Sequence, residues 1–477
     1  MKNKSVGILL LFILSQLDLS GQPYYSITDY GALPDAGHSQ TAAIQKAVDI
    51  CAEAGGGTVL VPPGIYRAAT IMLRNNVHLH LSPGALLVSS RDTAEFRTFT
   101  EAGISAAGLP VQIYASDASN IAITGGGMID GRAEYILEDL RSVDGFVARE
   151  FEIARKAGIP MKKHAKIHPV TVMVFFRNCR NITLRDATFR NSVHWGIHLK
   201  NCTDAVADGI KIFSSLEKGA NSDGLDIDGC QNVAVSNCII ETGDDAIVLK
   251  TTDKDGPPMP CENIVVRNCI LTSTSAALKL GTESYADFRH IIFSNCVIRN
   301  TNRALAIIIR DGATAENIMF SDITIECRRK NFYWWGNGDP FWLVVTQRTP
   351  ESEIGHIRNV YFNNIRATAQ GTTKIEGHPQ RPLGNIVFSG VSIRMEPEET
   401  NDKRATHGFY AHHIDGLALD RFEVTWQTSG AESGWQSGIV LENIRGLKMN
   451  QTEVTAAPGS NAEAVIQYNI QKTLPAR

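Results

Sequence analysis

Three aspartates set the chemistry open to this chain. Asp223, Asp244 and Asp245 fall in one stretch, residues 221–250, which reads NSDGLDIDGCQNVAVSNCIIETGDDAIVLK. Asp223 and Asp244 are 21 positions apart, with short β-like segments between them at 232–235 and 238–241. A chain that winds once in that distance returns Asp244 to a place beside Asp223, and three carboxylates then share one patch of surface. Clustered carboxylates repel, so at least one is driven to hold a proton near neutral pH. One protonated acid beside ionised bases is the equipment for cleaving a glycosidic bond. Asp-Gly and Gly-Asp pairs also make turns, and for Asp223 that reading stands beside the catalytic one. Asp244 and Asp245 sit between Gly243 and the apolar run 246–249, with no Lys or Arg adjacent in sequence. Adjacent acids at a strand entrance repel, which favours a functional role for this pair.

The elements that must hold these acids are repetitive. A polar residue, then Ile or Val, a spacer, an apolar residue, a short polar gap and a second apolar segment recur at Asn120, Asn181, Asp204, Asn232, Asn263, His290, Asn317, Asn359 and Asn385. From Asn181 the steps are 23, 28, 31, 27, 27, 42 and 26 residues. Such steps suit the coils of a parallel β-helix, in which each coil buries little alone and stacking supplies the core. A polar residue at a fixed turn position predicts an Asn ladder. Before the repeat, 39–54 reads as a helix with Ile44, Ala47, Val48 and Cys51 on one face and Ser39 as its cap. Strands are expected at Gly57–Val61 and Val77–Leu81. Two interruptions stand out: a charged, helix-like insertion at 131–168, and an aromatic segment at 331–342, NFYWWGNGDPFW. Insertions in a solenoid fall at turns, often on the binding face. Beyond about residue 395 the repeat weakens, with strands expected at 416–424 and 438–447.

The chain has 477 residues and a net charge of −4, which gives no support for nucleic-acid binding. Its first residues, MKNKSVGILLLFILSQLDLSG, place Lys2 and Lys4 before a short apolar run. That pattern reads as a secretory signal over 1–21, followed by one domain over 22–477, with a secreted or periplasmic location and no membrane span. Nine cysteines include five Asn-Cys pairs, at 178, 201, 237, 268 and 295. Their recurrence suggests one structural position repeated, filled by reduced, buried thiols. No CxxC pair marks a metal site, and neither a cofactor nor a metal is expected.

Family resemblance enters on three motifs. NSDGLD resembles the NTDG(I/F)D of glycoside hydrolase family 28, the polygalacturonases and their relatives. GDDAIVLK resembles that family's GDDCIAIK, and NSVHWGIHLKNC its NSPxWxIHxxxC. The resemblance spans roughly residues 25–394. It implies an all-β fold, a right-handed parallel β-helix whose open N-terminal end is covered by the 39–54 helix. It also implies an inverting hydrolase of a polysaccharide or oligosaccharide, with Asp244 as general acid and Asp223 and Asp245 as bases. Inversion expects acid and base about 6.5–9.5 Å apart.

The match then departs from the family. The family's Gly-His-Gly falls on Ser275 or Ala276, and its Arg-Ile-Lys puts Ala306 at the Arg and Ile308 at the Lys. Those two cations bind the galacturonate carboxylate in polygalacturonases, and losing both removes about 1.5–3 kcal/mol per contact. An unusual, chain-end-acting enzyme is expected, with a sugar other than plain galacturonate at the cleavage point. Candidate substrate contacts are Asn221, His194, Lys250, Lys279, Glu283, Arg310, Trp334 and Trp335. Arg303 and His198 are further possibilities, each with a packing or surface role as the alternative. Alternation puts Leu278 and Leu280 inward and Lys279 outward. Two other functions stay open: a polysaccharide lyase on the same fold, with the acids as calcium ligands, and a carbohydrate-binding β-helix without catalysis.

Overall fold

A computed structural model describes residues 24–34, 37–101, 108–135, 137–138, 145–158, 165–166, 169–254, 256–330 and 335–472. The expected signal at 1–21 and Trp334 lie outside these residues. The described chain is a right-handed parallel β-helix with three strands to a coil. The strand that carries the site recurs as Val172–Arg177, Ile197–Lys200, Leu225–Asp228, Ile247–Thr251, Ala276–Ser284, Arg303–Ile309, Asp339–Val345 and Thr373–Glu376. Each pairs in parallel register with the next. Inward Ile, Val and Leu side chains form one continuous core, joined by the rings of Phe293, Phe320, Phe362 and Phe388. Successive rings stack at 4.8, 5.1 and 4.5 Å between centroids.

The recurring polar residue is explained by backbone geometry. Asn181, Asp204, Asn232, Asn263, His290, Asn317, Asn359 and Asn385 all have φ between 52 and 58°. Asn and Asp tolerate this left-handed corner better than other residues with a Cβ. Their side chains also form the expected ladder: Asn232 Nδ2 donates to Asp204 Oδ1 at 3.0 Å, and Asn263 Nδ2 to Asn232 Oδ1 at 3.1 Å. Asn232→Ala removes two ladder contacts and puts a methyl at a left-handed corner. We expect a loss of about 1–2 kcal/mol in denaturant unfolding, with catalysis at 25 °C unchanged.

The coils do not fade after residue 395. Strands Phe409–Trp426, Ile439–Asn450 and Val465–Lys472 continue the stack. The ladder continues too, through His413, Asn443 and Asn469, with φ of 52, 53 and 51°. Asn469 Nδ2 donates to Asn443 Oδ1 at 2.7 Å. A His takes the Asn position at 413, as another does at 290.

The N-terminal helix spans Thr41–Glu53 and buries Ile44, Ala47, Val48 and Cys51, as the spacing predicts. The expected Ser39 cap is not made: Gln40 holds the N-cap position without a side-chain bond. Ser39 is instead committed to a parallel bridge with Arg67. The helix closes the exposed strand edge with polar side chains. Met72 N donates to Gln45 Oε1 at 2.8 Å, and Ala69 N to Thr41 Oγ1 at 2.8 Å. These bonds satisfy edge groups that would otherwise offer a template to another chain.

The cysteines correct a second expectation. All nine are free and buried, but the Asn-Cys pairs occupy two corners of the coil. Cys179 and Cys202 follow the site-bearing strand, whereas Cys238, Cys269 and Cys296 lie at the next bend. Both corners need a left-handed residue followed by a small inward one, and Asn-Cys meets that need twice. The thiols reach carbonyls of the preceding coil, as Cys202 Sγ does to Phe176 O at 3.3 Å.

The insertion at 131–168 contains the expected helix, at Gly145–Lys156. The aromatic segment is not one loop. Asp339–Val345 is a strand of the site-bearing sheet, whose Phe341 is core and whose Trp342 faces outward. Among the described residues no helix is long and apolar enough to cross a membrane.

Candidate active site

Strand register brings the three acids together. Leu225 pairs with Ile247, and Gly224 N donates to Asp245 O at 2.8 Å. The residue in register with Asp223 is therefore Asp245, and Asp244 sits beside them at the turn. One carboxylate oxygen from each lies within 4.8 Å of the others. That bound is between single oxygens, whereas an inverting pair is defined by carboxyls about 6.5–9.5 Å apart. Inversion thus rests on family resemblance and not on the spacing.

The turn that presents Asp244 is fixed from below. Thr242 Oγ1 and Ser273 Oγ both donate to Asp244 O, at 2.8 and 2.7 Å. The Asp244 carboxylate accepts from Asp245 N at 2.9 Å and Asn221 N at 3.0 Å. Asn221 thus meets the acid through its backbone. Asp245 is held more strongly: Lys279 Nζ donates to its Oδ2 at 2.5 Å, and Ser275 Oγ and Ala276 N donate to Oδ1 at 2.8 and 3.1 Å. Ser275 and Ala276, where the family's His was expected, act here as anchors of this carboxylate. Lys279 emerges from the sheet between buried Leu278 and Leu280, as alternation requires.

These contacts push the two adjacent acids apart. Burial, aided by the Asp245 charge, raises Asp244 to about 6. Burial also opposes ionisation of Asp245, but Lys279 and Lys250 overcome it and hold Asp245 below the usual carboxylate range. Burial and Asp244 together raise Asp223 well above its ordinary value. Its Oδ1 is buried without a hydrogen-bond partner. Lys250 is the central cation: its Nζ is 3.3 Å from Glu283 Oε2, 3.7 Å from Asp223 Oδ2 and 3.8 Å from Asp226 Oδ1. It also lies over the Trp195 ring at 4.6 Å. Burial resists ionisation of Glu283, but Lys250, Lys279 and Arg348 bring it down to about 2.

The acids open into a cleft of about 490 Å³ lined by Trp195, Asn221, Lys250, Lys279, Glu283, Arg310, Trp335 and Trp342, among others. Ala276, Ala306, Ile308, Trp342 and Val344 cluster as an apolar wall. Register explains it, since Lys279, Ala306 and Trp342 are successive rungs. Two expected contacts are placed elsewhere. His194 packs its ring 5.6 Å from Trp195 and does not line the cleft. His198 is buried below, bonded to Asp228 at 3.1 Å. Arg303 lines the cleft but is bound to Asp339 at 2.5 Å and lies 3.9 Å over the Trp342 ring. No described residue of 131–168 lines the cleft. Sequence reasoning missed Trp195, although it stands inside the NSVHWGIHLKNC motif, and missed Ser275 as an anchor.

The carboxylate trio has the geometry to hold a cation. Its charge is already countered by the Lys250 and Lys279 ammoniums, and the donor set fits proton transfer better than a hard dication, which prefers six or more oxygens.

Comparison with known proteins agrees with the fold and the motifs. The solved exopolygalacturonase of Thermotoga maritima is 22% identical, with a TM-score of 0.63 over 90% of this chain and 92% of that one. The family 28 exopolygalacturonase of Yersinia enterocolitica gives 0.66 at 18% identity, over 92% and 79%. In sequence, an exo-poly-alpha-D-galacturonosidase of Dickeya chrysanthemi is 28% identical over 46% of this chain and 41% of its own length. A polygalacturonase of Persea americana is 26% identical over 48% and 44%. The chain therefore spans less than half the length of these curated relatives. Residues 24–92 match the rhamnogalacturonase A/epimerase, pectate lyase-like family. The profile of the glycosyl hydrolases family 28 matches residues 83–409, well over half of the chain, and the chain belongs to that family of glycoside hydrolases.

Proposed function

We propose that this hydrolase is exported and attacks the ends of pectin-type oligosaccharides, cutting beside a sugar that is not plain galacturonate. The observation that carries the chemistry is the opposed state of two neighbouring carboxyls: Asp244 is raised to about 6 while Lys279 keeps Asp245 ionised. Asp244 is the general acid. Its proton passes to the leaving glycosidic oxygen as the C–O bond breaks. Asp245 is the base, taking a proton from the water whose oxygen forms the new bond to the anomeric carbon. Asp223, raised well above its ordinary value by burial and by Asp244, serves as a second acceptor when it is ionised. This narrows the expectation that both Asp223 and Asp245 are resting bases.

The apolar wall supports the substrate reading. Ala306 and Ile308 offer a carboxylate no partner, and an unpaired buried charge is costly. Chain-end action is supported by the exo-acting relatives, and export by the Lys2, Lys4 and apolar pattern of the first residues. Rates on polygalacturonic acid and on rhamnogalacturonan oligosaccharides should differ by about tenfold or more in favour of the second. A preference for polygalacturonic acid would remove the substrate reading. The first-formed product, watched by NMR, should carry the inverted anomeric configuration. New reducing ends without an ultraviolet-absorbing product, unaffected by chelator, separate hydrolysis from the lyase and binder alternatives.

A further inference from the structure

We propose that Arg310 is a carboxylate receptor at the far end of the cleft, reading an acidic sugar next to the one that meets the apolar wall. The proposal rests on the cleft being a saccharide site and deepens that reading.

Arg310 is the unpaired cation of the described cleft lining. Lys250 is shared among Glu283, Asp223 and Asp226, Lys279 is bound to Asp245, and Arg303 to Asp339. The Arg310 guanidinium has no such partner, and its Nε is buried without a hydrogen bond. Its sequence neighbour Asp311 and its fellow cleft residue Glu283 are already taken. Arg348 Nε binds Asp311 Oδ1 at 2.6 Å, and Glu283 is held by Lys250 and by Arg348 at 3.7 Å. A buried donor left unmade is expensive, and a planar guanidinium fits a carboxylate in two-pronged fashion.

Its position is also fixed. Arg310 comes directly after the strand that carries Ala306 and Ile308, and it lines the same cleft. Its backbone N donates to Ser284 Oγ at 2.8 Å, which anchors the base of the side chain. The cleft thus offers an apolar surface and, just beyond the strand, a cation. That order fits a neutral ring followed by an acidic one.

The test reads binding without turnover. Galacturonate and its uncharged methyl ester are titrated by NMR against the full chain, its Arg310→Gln variant and its Arg310→Lys variant. The wild type should bind the acid about tenfold or more tightly than the ester. In Arg310→Gln the acid should fall to the level of the ester, while ester affinity stays within about twofold, which reports an intact cleft. Arg310→Lys should keep part of the preference, as a point charge would. Equal binding of acid and ester by the wild type, no measurable binding of the acid, or the same preference in Arg310→Gln would each overturn the proposal. The catalytic reading fails separately, through hydrolysis assays on the Asp244 variant.

Discussion

Asp244→Asn is expected to lower kcat by about 10²–10⁴-fold, the usual contribution of a positioned general acid. The substitution keeps the shape of the side chain and removes the proton that the leaving oxygen needs. The fold should survive. The Asp244 carboxylate accepts two backbone N–H groups, from Asn221 and Asp245. An amide can accept only one of them well, which costs about 1–3 kcal/mol. Against that loss, the variant no longer places a charge beside Asp245. Because the folded value of Asp244 is raised to about 6, its stabilising effect is present at low pH and is lost as pH rises through that value. The variant should therefore compare most favourably with the wild type above pH 6. Initial rates and thermal midpoints measure the two effects independently. An aryl glycoside whose leaving group needs no proton should recover most of the lost rate. Wild-type turnover by Asp244→Asn on a natural oligosaccharide would remove Asp244 from the acid role.

The fold was legible because each coil repeats the same local demand. Left-handed corners select Asn, inward positions select Ile or Val, and the step between them measures the coil. Legibility failed where one dipeptide met two demands, as Asn-Cys does at both corners. The acids were legible as a group because they stand at the entrances of neighbouring strands. Their partners were less so. That Ser275 anchors Asp245 depends on a 31-residue register step between Ile247 and Leu278, which no local pattern encodes. Trp195 and Trp342 reach the cleft through stacking across several coils. Trp342 looked like part of an aromatic loop because Gly336 and Gly338 precede it, yet Asp339 begins a strand. Charge state was the least legible property. A cation on the next coil, Lys279, decides which of two adjacent aspartates is ionised.

Lys279→Met should therefore displace the pH profile and not merely scale it. In the wild type the productive form has Asp245 ionised and Asp244 protonated. Asp245 is held below the ordinary range, so it is ionised through mildly acidic pH, and the descending limb follows Asp244 near 6. The free-enzyme profile, kcat/KM, should peak below pH 6 and fall about tenfold per pH unit well above it. Removing Lys279 takes away the 2.5 Å contact that holds Asp245 down, leaving burial and the neighbouring acids to raise it. Lys279 also lowers Asp244, so both limbs move to higher pH. Below the new ascending limb, each unit of upward shift in Asp245 costs about tenfold in rate, because that fraction of the base is protonated. The two limbs belong to the coupled pair and are read as macroscopic values. Lys279→Arg restores a cation at the same rung and should return the ascending limb toward its wild-type place. A lysine that only filled space would leave Lys279→Met with an unchanged profile at reduced height, and that result would end the assignment of Asp245 as the ionised base.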